Sequence, residues 1–188
     1  SKEIARNLVK WIIDNDIDSI YNYERNDGIF NHIAIRNNEI NEFLIEFYFH
    51  EINQRVINSL KYWNLETVNI KSIYYQIEHK NKNNFRDNFY HLNGNRYLYY
   101  KVCEKVIGIK AGSFFQTNNN ILQIVYNDLK NLLVKDKDIF LLDFYCGVGV
   151  ISIIMSEFYK KCIGVEINQN AIDVAEHNCK LNNCNNIT

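Results

Sequence analysis

The fold of this chain is decided by Ile139-Phe140-Leu141-Leu142-Asp143-Phe144-Tyr145-Cys146-Gly147-Val148-Gly149-Val150. Its first residues are apolar and predict a short buried strand, which Asp143 closes. A glycine turn follows and leads into Ile151-Ser152-Ile153-Ile154-Met155, which predicts a helix. A second strand is predicted at residues 162–166 and ends in Glu166. Strand, glycine turn, helix, strand and acid together predict the nucleoside-binding half of a Rossmann-like βαβ unit, in which the last carboxylate binds ribose hydroxyls.

The glycine turn differs from the dinucleotide fingerprint G-x-G-x-x-G, because Ser152 stands where the third glycine is expected. A carboxylate directly before the turn repels pyrophosphate, so Asp143 favours a cationic ligand without phosphate. S-adenosylmethionine is such a ligand, and we interpret the spacing as a methyl-donor site rather than a nicotinamide site. The alternative is an ordinary α/β core whose glycines only turn the chain. Two acidic residues at two strand ends argue against this alternative, since placing a carboxylate there costs free energy unless it binds a ligand.

The composition indicates a globular chain without a bulk attraction for nucleic acid. Its 188 residues are 47% hydrophobic, enough for a real core and two lobes. The net charge is −1, so any RNA-binding surface has to be local. The five cysteines form no C-x-x-C pair and no metal-ligand pattern with the five histidines, which predicts reduced, packed thiols. With no visible signal peptide or membrane span, we expect a cytoplasmic protein with no metal and no membrane contact.

The first hundred residues predict a small α+β domain, in which helices pack on an antiparallel sheet. The predicted helices lie at 2–13 and 51–63, and the predicted strands at 29–36, 43–49, 68–77, 96–102 and 105–109. His32 and His91 lie in strand-like patterns and are interpreted as packing residues. The polar, basic segment 79–86 is interpreted as a solvated loop, with phosphate contact as the alternative. We assign residues 1–110 to this domain, and residues 111–188 to the N-terminal part of a Rossmann-like domain.

The motif Ser113-Phe114-Phe115-Gln116-Thr117-Asn118 precedes a predicted helix and has two interpretations. In the first, the aromatic residues seat the helix and Asn118 caps it. In the second, the Gln116 side-chain amide binds a ligand. The residues alone leave both open. A further helix is predicted after Glu166, with Asn168 or Asn170 as its cap.

Taken together, three motifs resemble the RNA 5-methyluridine methyltransferases. They are the Ser113–Asn118 motif, Asp143-Phe144-Tyr145-Cys146-Gly147-Val148-Gly149, and Gly164-Val165-Glu166-Ile167 followed by Ala171, Ala175 and Asn178. The resemblance implies a small α+β domain followed by the first half of a Rossmann-like class I methyltransferase domain. It also implies S-adenosyl-L-methionine as cofactor and transfer or ribosomal RNA as partner, with a methyl group transferred to C5 of uridine.

By this resemblance, four residues form the cofactor site. Gln116 contacts the cofactor, Tyr145 and Gly147 line the methionine and adenosine pocket, and Glu166 holds the ribose hydroxyls. The family commonly has Asn or Thr where this chain has Val150, which offers no side-chain hydrogen bond and is left out of the site.

The chemistry implied by the family needs a cysteine thiolate that adds to C6 of uracil and a base that removes the C5 proton. In the family both lie C-terminal to the segment seen in this chain. We therefore assign no catalytic residue, interpret Cys146 as a packing residue, and expect residues 1–188 alone to be inactive. Two other functions stay open: a class I methyltransferase acting on cytosine or a small molecule, and a catalytically silent cofactor- or RNA-binding module.

Overall fold

The computed structural model describes residues 2–15, 22, 24–25, 27–51, 54–61, 63, 69–77, 89–116 and 118–188. The chain forms two compact units, Ser1–Leu98 and Tyr99–Thr188. The first is α+β and the second contains a parallel βαβ unit, which confirms the predicted fold class. The domain boundary at residue 110 stays a prediction.

The first unit is a four-stranded sheet with two helices. In chain order its elements are α1 (Lys2–Asp14), β1 (Phe30–Asn37), β2 (Phe43–Phe49), α2 (Gln54–Lys61), β3 (Ile70–Ile77) and β4 (Tyr90–Gly94). The strands lie in the order β1-β2-β3-β4. The outer pairs are antiparallel, as predicted, whereas β2 and β3 are parallel, so the sheet is mixed and not antiparallel throughout. The connection that contains α2 returns the chain to the same end of the sheet, which makes this parallel pairing possible.

The core of the first unit forms between one face of the sheet and the helices. Alternate residues of β2, including Phe47 and Phe49, pack with Leu8 and Trp11 of α1. Predicted helix residues such as Val56 belong to the same core. His32 stacks on Tyr48 and His91 lies edge-on to Tyr74, but both histidines are exposed, so their predicted packing role is limited to these ring contacts. Segment 79–86 lies outside the described residues.

The second unit holds the predicted nucleoside-binding half. Its elements are β5 (Leu98–Val102, of which all but the first residue belong to this unit), β6 (Lys105–Ile109), α3 (Asn119–Leu132), β7 (Asp136–Phe144), α4 (Val150–Met155), β8 (Tyr159–Val165) and α5 (Gln169–Leu181). Strands β7 and β8 are parallel neighbours, as predicted. The tail adds a third parallel segment, since Thr188 N–H donates to the Cys162 carbonyl at 3.0 Å. The predicted caps are confirmed: Asn118 accepts from the Ile121 amide and Asn168 from the Asn170 amide.

The prediction that β7 is buried is wrong. Ile139, Phe140, Leu142 and Phe144 are all exposed, whereas the acid Asp143 is buried. Among the described residues β7 is paired with β8 alone, and its side chains are only partly covered. The apolar run therefore predicted the strand correctly, but it did not predict how exposed the side chains of the strand are in this chain. No helix within the described ranges has both the length and the hydropathy to span a bilayer.

Candidate functional site

Asp143 is the last residue but one of β7 and bonds to the helix that follows this strand. Its Oδ2 accepts hydrogen bonds from the backbone N–H and the hydroxyl of Ser152, at 3.2 and 2.7 Å. Burial raises the pKa of the Asp143 carboxyl above its usual value, and the two bonds from Ser152 lower it in part. The carboxylate is thus bonded to the first turn of α4, and its preference for a cationic ligand without phosphate stays a prediction.

The turn after Asp143 is held in left-handed backbone conformations. Tyr145, Gly147 and Gly149 have φ values of 63°, 54° and 83°. At Gly147 a Cβ atom would meet nothing within 4 Å, so the space beside the backbone is open. Beneath the turn, a Cβ on Gly164 would lie 2.9 Å from the Cys146 sulfur, so glycine in β8 leaves room for this thiol. Cys146 is thus a packing residue, as predicted.

Glu166 follows β8 and is held by three backbone amides. Its Oε1 accepts from the N–H groups of Ile167 and Asn168, both at 2.8 Å. Its Oε2 accepts from the N–H of Gly147 at 3.1 Å. Asn168 is also the N-cap of α5, so the carboxylate lies at a helix N-terminus, where the helix dipole favours negative charge. The structure thereby brings two of the four predicted site residues into direct contact.

Exposed apolar side chains flank this contact. The ring of Tyr145 is 88% exposed although its backbone is in the left-handed region, which is unfavourable for a residue with a Cβ. Ile167, next to Glu166, is 95% exposed. A strained aromatic residue that contributes so little to packing is typical of a functional site. These side chains offer an apolar surface beside a hydrogen-bonding carboxylate.

The motif before α3 divides into buried and exposed side chains. Ser113 and Phe115 are buried, and Phe115 packs on the ring of Tyr100 with centroids 4.6 Å apart. Gln116 is exposed, and its amide has no hydrogen-bond partner among the described residues. Phe115 and the Asn118 cap therefore seat the helix without help from Gln116. No hydrogen bond joins Gln116 to the other three predicted site residues within the described part of the chain.

A cavity of about 550 Å³ lies behind the turn, between β8, α5 and the tail. Its volume is within the range of small-molecule sites. Glu166 is the one predicted site residue that lines it, together with Gly149, Ala175 and Glu176 among others. The cavity thus adjoins Glu166, and Tyr145 does not line it.

Three thiols also line this cavity: Cys146, Cys179 and Cys184. Burial raises the pKa of Cys146, and two neighbouring carboxylates raise it further. Burial likewise raises the pKa values of Cys162 and Cys179 to about 11. Cys146, Cys162 and Cys179 therefore stay protonated near neutral pH and are poor nucleophiles. Among the described residues, no group of three or more His, Cys, Asp or Glu side chains has an arrangement that could hold a metal ion.

Known proteins resemble this chain in sequence and in fold. Residues 80–188 match the family described as tRNA (Uracil-5-)-methyltransferase. The chain is 31% identical, over 183 residues, to an uncharacterised RNA methyltransferase of Bacillus cereus, covering 95% of this chain and 39% of the relative. An uncharacterised RNA methyltransferase of Prochlorococcus marinus is 31% identical over 179 residues, 93% of this chain and 42% of that protein.

A solved structure has the same fold. It is the Pyrococcus abyssi tRNA (uracil-54, C5)-methyltransferase in complex with S-adenosyl-L-homocysteine, which matches with a TM-score of 0.82 at 23% identity. The match covers 100% of this chain and 45% of that one. The second unit thus has the fold of the first half of a Rossmann-like class I methyltransferase domain. The chain belongs to the tRNA (uracil-5-)-methyltransferase family, which confirms the resemblance, and it spans about 40% of the length of the curated relatives it matches.

Proposed function

We propose that this chain is the donor-binding part of an enzyme that transfers a methyl group from S-adenosyl-L-methionine to C5 of a uridine in RNA. The observation that carries the proposal is the contact between Glu166 and Gly147, which joins the acid after β8 to the glycine turn after β7. Family membership supplies the reaction class. A cytoplasmic location and an RNA partner, transfer or ribosomal, are part of the same proposal.

The residues of this site suit an adenosine group. An ionised carboxylate has about four acceptor positions, of which the three backbone amides at Glu166 use three. One position is left for a ribose hydroxyl. Ile167 offers an apolar face for the base, and the open side of Gly147 admits the ligand close to the backbone.

Gln116 and Tyr145 complete the proposed site. The exposed amide of Gln116 is available to a ligand, since it is not needed to seat α3. The exposed ring of Tyr145 is available to cover the donor beside the turn. When bound, S-adenosyl-L-methionine supplies an electrophilic methyl group. The proposed role of this chain is to hold and orient the donor.

The same structure supports the view that the nucleophile lies elsewhere in the intact protein. The pKa values of Cys103, Cys146, Cys162 and Cys179 are all raised, mainly by burial, which disfavours the thiolate that attack on uracil C6 needs. Residues 1–188 alone are therefore proposed to transfer no methyl group to RNA.

The experiment uses the intact protein, methyl-labelled S-adenosyl-L-methionine and unmodified tRNA and rRNA transcripts. After digestion to nucleosides, we expect the label in 5-methyluridine. Label in a methylated cytidine, or in a small molecule with none in RNA, would refute the proposed substrate. Calorimetry with S-adenosyl-L-homocysteine and with NAD⁺ separates the donor from the substrate: we expect binding of the first alone, and a protein that binds neither contradicts the site.

A further inference from the structure

Asn178 of α5 is fully buried, and its side-chain amide joins two other elements of the second unit. Its Oδ1 accepts a hydrogen bond from the Gly108 N–H of β6 at 2.8 Å. Its Nδ2 donates to the carbonyls of Gly108 and Val148, each at 3.0 Å. A side-chain amide has two N–H donors and one carbonyl acceptor, so all three groups of Asn178 take part.

The Val148 carbonyl belongs to the glycine turn, between Gly147 and Gly149. Both glycines have positive φ and lack the Cβ that restricts other residues, so the turn can adopt many backbone conformations. Within the turn the Gly149 N–H donates to the Cys146 carbonyl at 2.9 Å, and contacts from outside restrict the conformation further. Asn178 provides such a contact at Val148, and Glu166 provides another at Gly147.

The sequence of β6 fits this contact. A Cβ on Gly108 would lie 3.2 Å from Oδ1 of Asn178 and 3.1 Å from the ring of Tyr99. Both distances are shorter than an ordinary van der Waals contact. Glycine at this position therefore lets β6 approach α5 closely enough for the amide to bind both backbone groups of Gly108.

Asn182, the C-cap of α5 one turn after Asn178, makes a similar contact that does not reach the glycine turn. Its side chain accepts from the Val106 N–H at 2.9 Å and donates to the Val106 carbonyl at 2.7 Å. It also donates to the carbonyl of Asn178, within its own helix, at 2.8 Å. The two asparagines thus bind β6 alike, and only Asn178 holds Val148. This makes Asn182 a matched control.

We propose that Asn178 is a positioning residue, which holds the Val148 peptide and keeps the glycine turn in one conformation for the ligand of that turn. The inference rests on the proposed function, because it takes this ligand to be the methyl donor. A turn that is already formed loses less conformational entropy on binding. The loss of one neutral hydrogen bond of this kind corresponds to roughly 2- to 12-fold weaker binding.

The test compares Asn178→Ser with Asn182→Ser in the intact protein. Each variant loses contact with β6, so we expect both to unfold at a lower temperature. Only Asn178→Ser releases Val148. We expect it to bind S-adenosyl-L-homocysteine roughly 2- to 12-fold more weakly than the wild type, with Asn182→Ser nearly unchanged. Equal losses of affinity in both variants would overturn the proposal, because the lost contact with β6 would explain them.

Amide hydrogen exchange at residues 147–149, without ligand, gives a readout that does not depend on donor binding. Faster exchange in Asn178→Ser than in Asn182→Ser supports the positioning role, and equal exchange overturns it. If Asn178→Ser fails to fold, the test is the exchange rate of the turn amides in the wild type. Amides at residues 147–149 that exchange as fast as those of an unstructured chain would contradict the proposal that the turn is held in one conformation. Slow exchange in a wild type that binds no donor supports the positioning role and refutes the proposed function instead.

Discussion

The Glu166 carboxylate accepts a hydrogen bond from the backbone N–H of Gly147 at 3.1 Å, which connects the ends of two neighbouring parallel strands. The same carboxylate is held by the amides of Ile167 and Asn168 at the start of α5. The acid is therefore oriented by backbone alone before any ligand is present. Such an arrangement favours tight binding, since little has to be ordered when the ligand arrives.

Glu166→Gln is expected to weaken donor binding. Glutamine keeps the shape but loses the charge-assisted bonds, and its NH₂ group faces backbone donors. We expect S-adenosyl-L-homocysteine affinity to fall by about 1.5–3 kcal/mol in calorimetry on the intact protein. Glu176→Gln is the control, because Glu176 lines the adjoining cavity but is outside the proposed site. Unchanged affinity in Glu166→Gln, or an equal loss in both variants, would rule out the ribose assignment.

Gln116→Ala separates the ligand-binding role of this residue from a structural one. Its amide is exposed, so we expect an unchanged thermal midpoint. We expect the dissociation constant for S-adenosyl-L-homocysteine to be roughly 10- to 150-fold higher. Asn118→Ala is the opposite case: loss of the α3 cap should lower stability by about 0.5–2 kcal/mol and leave affinity intact. A Gln116→Ala variant that behaves like Asn118→Ala would show that Gln116 only seats the helix.

Tyr145→Gly tests whether the left-handed tyrosine is kept for binding. Glycine relieves roughly 1–2 kcal/mol of backbone strain but makes the unfolded chain more flexible, so the thermal midpoint should change little. Affinity for S-adenosyl-L-homocysteine should fall, because the exposed ring is lost. Asn183→Gly, at another left-handed position, is the control with unchanged affinity. A large drop in the midpoint with full affinity would mean that the tyrosine ring is structural.

Asp143→Asn is expected to change how stability depends on pH. The pKa of Asp143 is raised in the folded protein, so its favourable contribution to the free energy of unfolding is complete below the unfolded pKa of about 3.8. This contribution is lost as the pH rises through the folded pKa. Asparagine still accepts from Ser152 but does not ionise. The thermal midpoint of Asp143→Asn relative to wild type should therefore increase from pH 4 to pH 7. Asp128→Asn, on the surface of α3, is the control, and a relative midpoint that falls with pH would contradict the assignment.

Much of the fold followed from hydrophobic periodicity and capping residues. The bounds of β2, the βαβ order around Gly147 and the caps Asn118 and Asn168 are as predicted, because these features depend on residues close in sequence. Strand β4 was not predicted. Its residues, Tyr90–Gly94, are mostly polar and exposed, and it is a strand because β3 supplies its hydrogen bonds.

Those site residues could be predicted from the sequence whose type alone indicates what they do. The glycines and Glu166 were found from the sequence, whereas the hydrogen bond between Glu166 and Gly147 needed the fold. Sequence also suggested that Asp143 is used, but not that Ser152 is its partner on the following helix. Asn178 entered only through the family resemblance. Periodicity places it on a helix but does not show that its amide reaches two backbone segments.

The most direct measurement of the central claim is tritium release from RNA that carries [5-³H]uridine. The intact protein is incubated with this RNA and S-adenosyl-L-methionine labelled with ¹⁴C in the methyl group. Substitution at C5 predicts that tritium enters water only when the donor is present, and that each methyl group incorporated releases one tritium. Methyl incorporation without tritium release would contradict the account, because the methyl group would then be on an atom other than C5 of uridine.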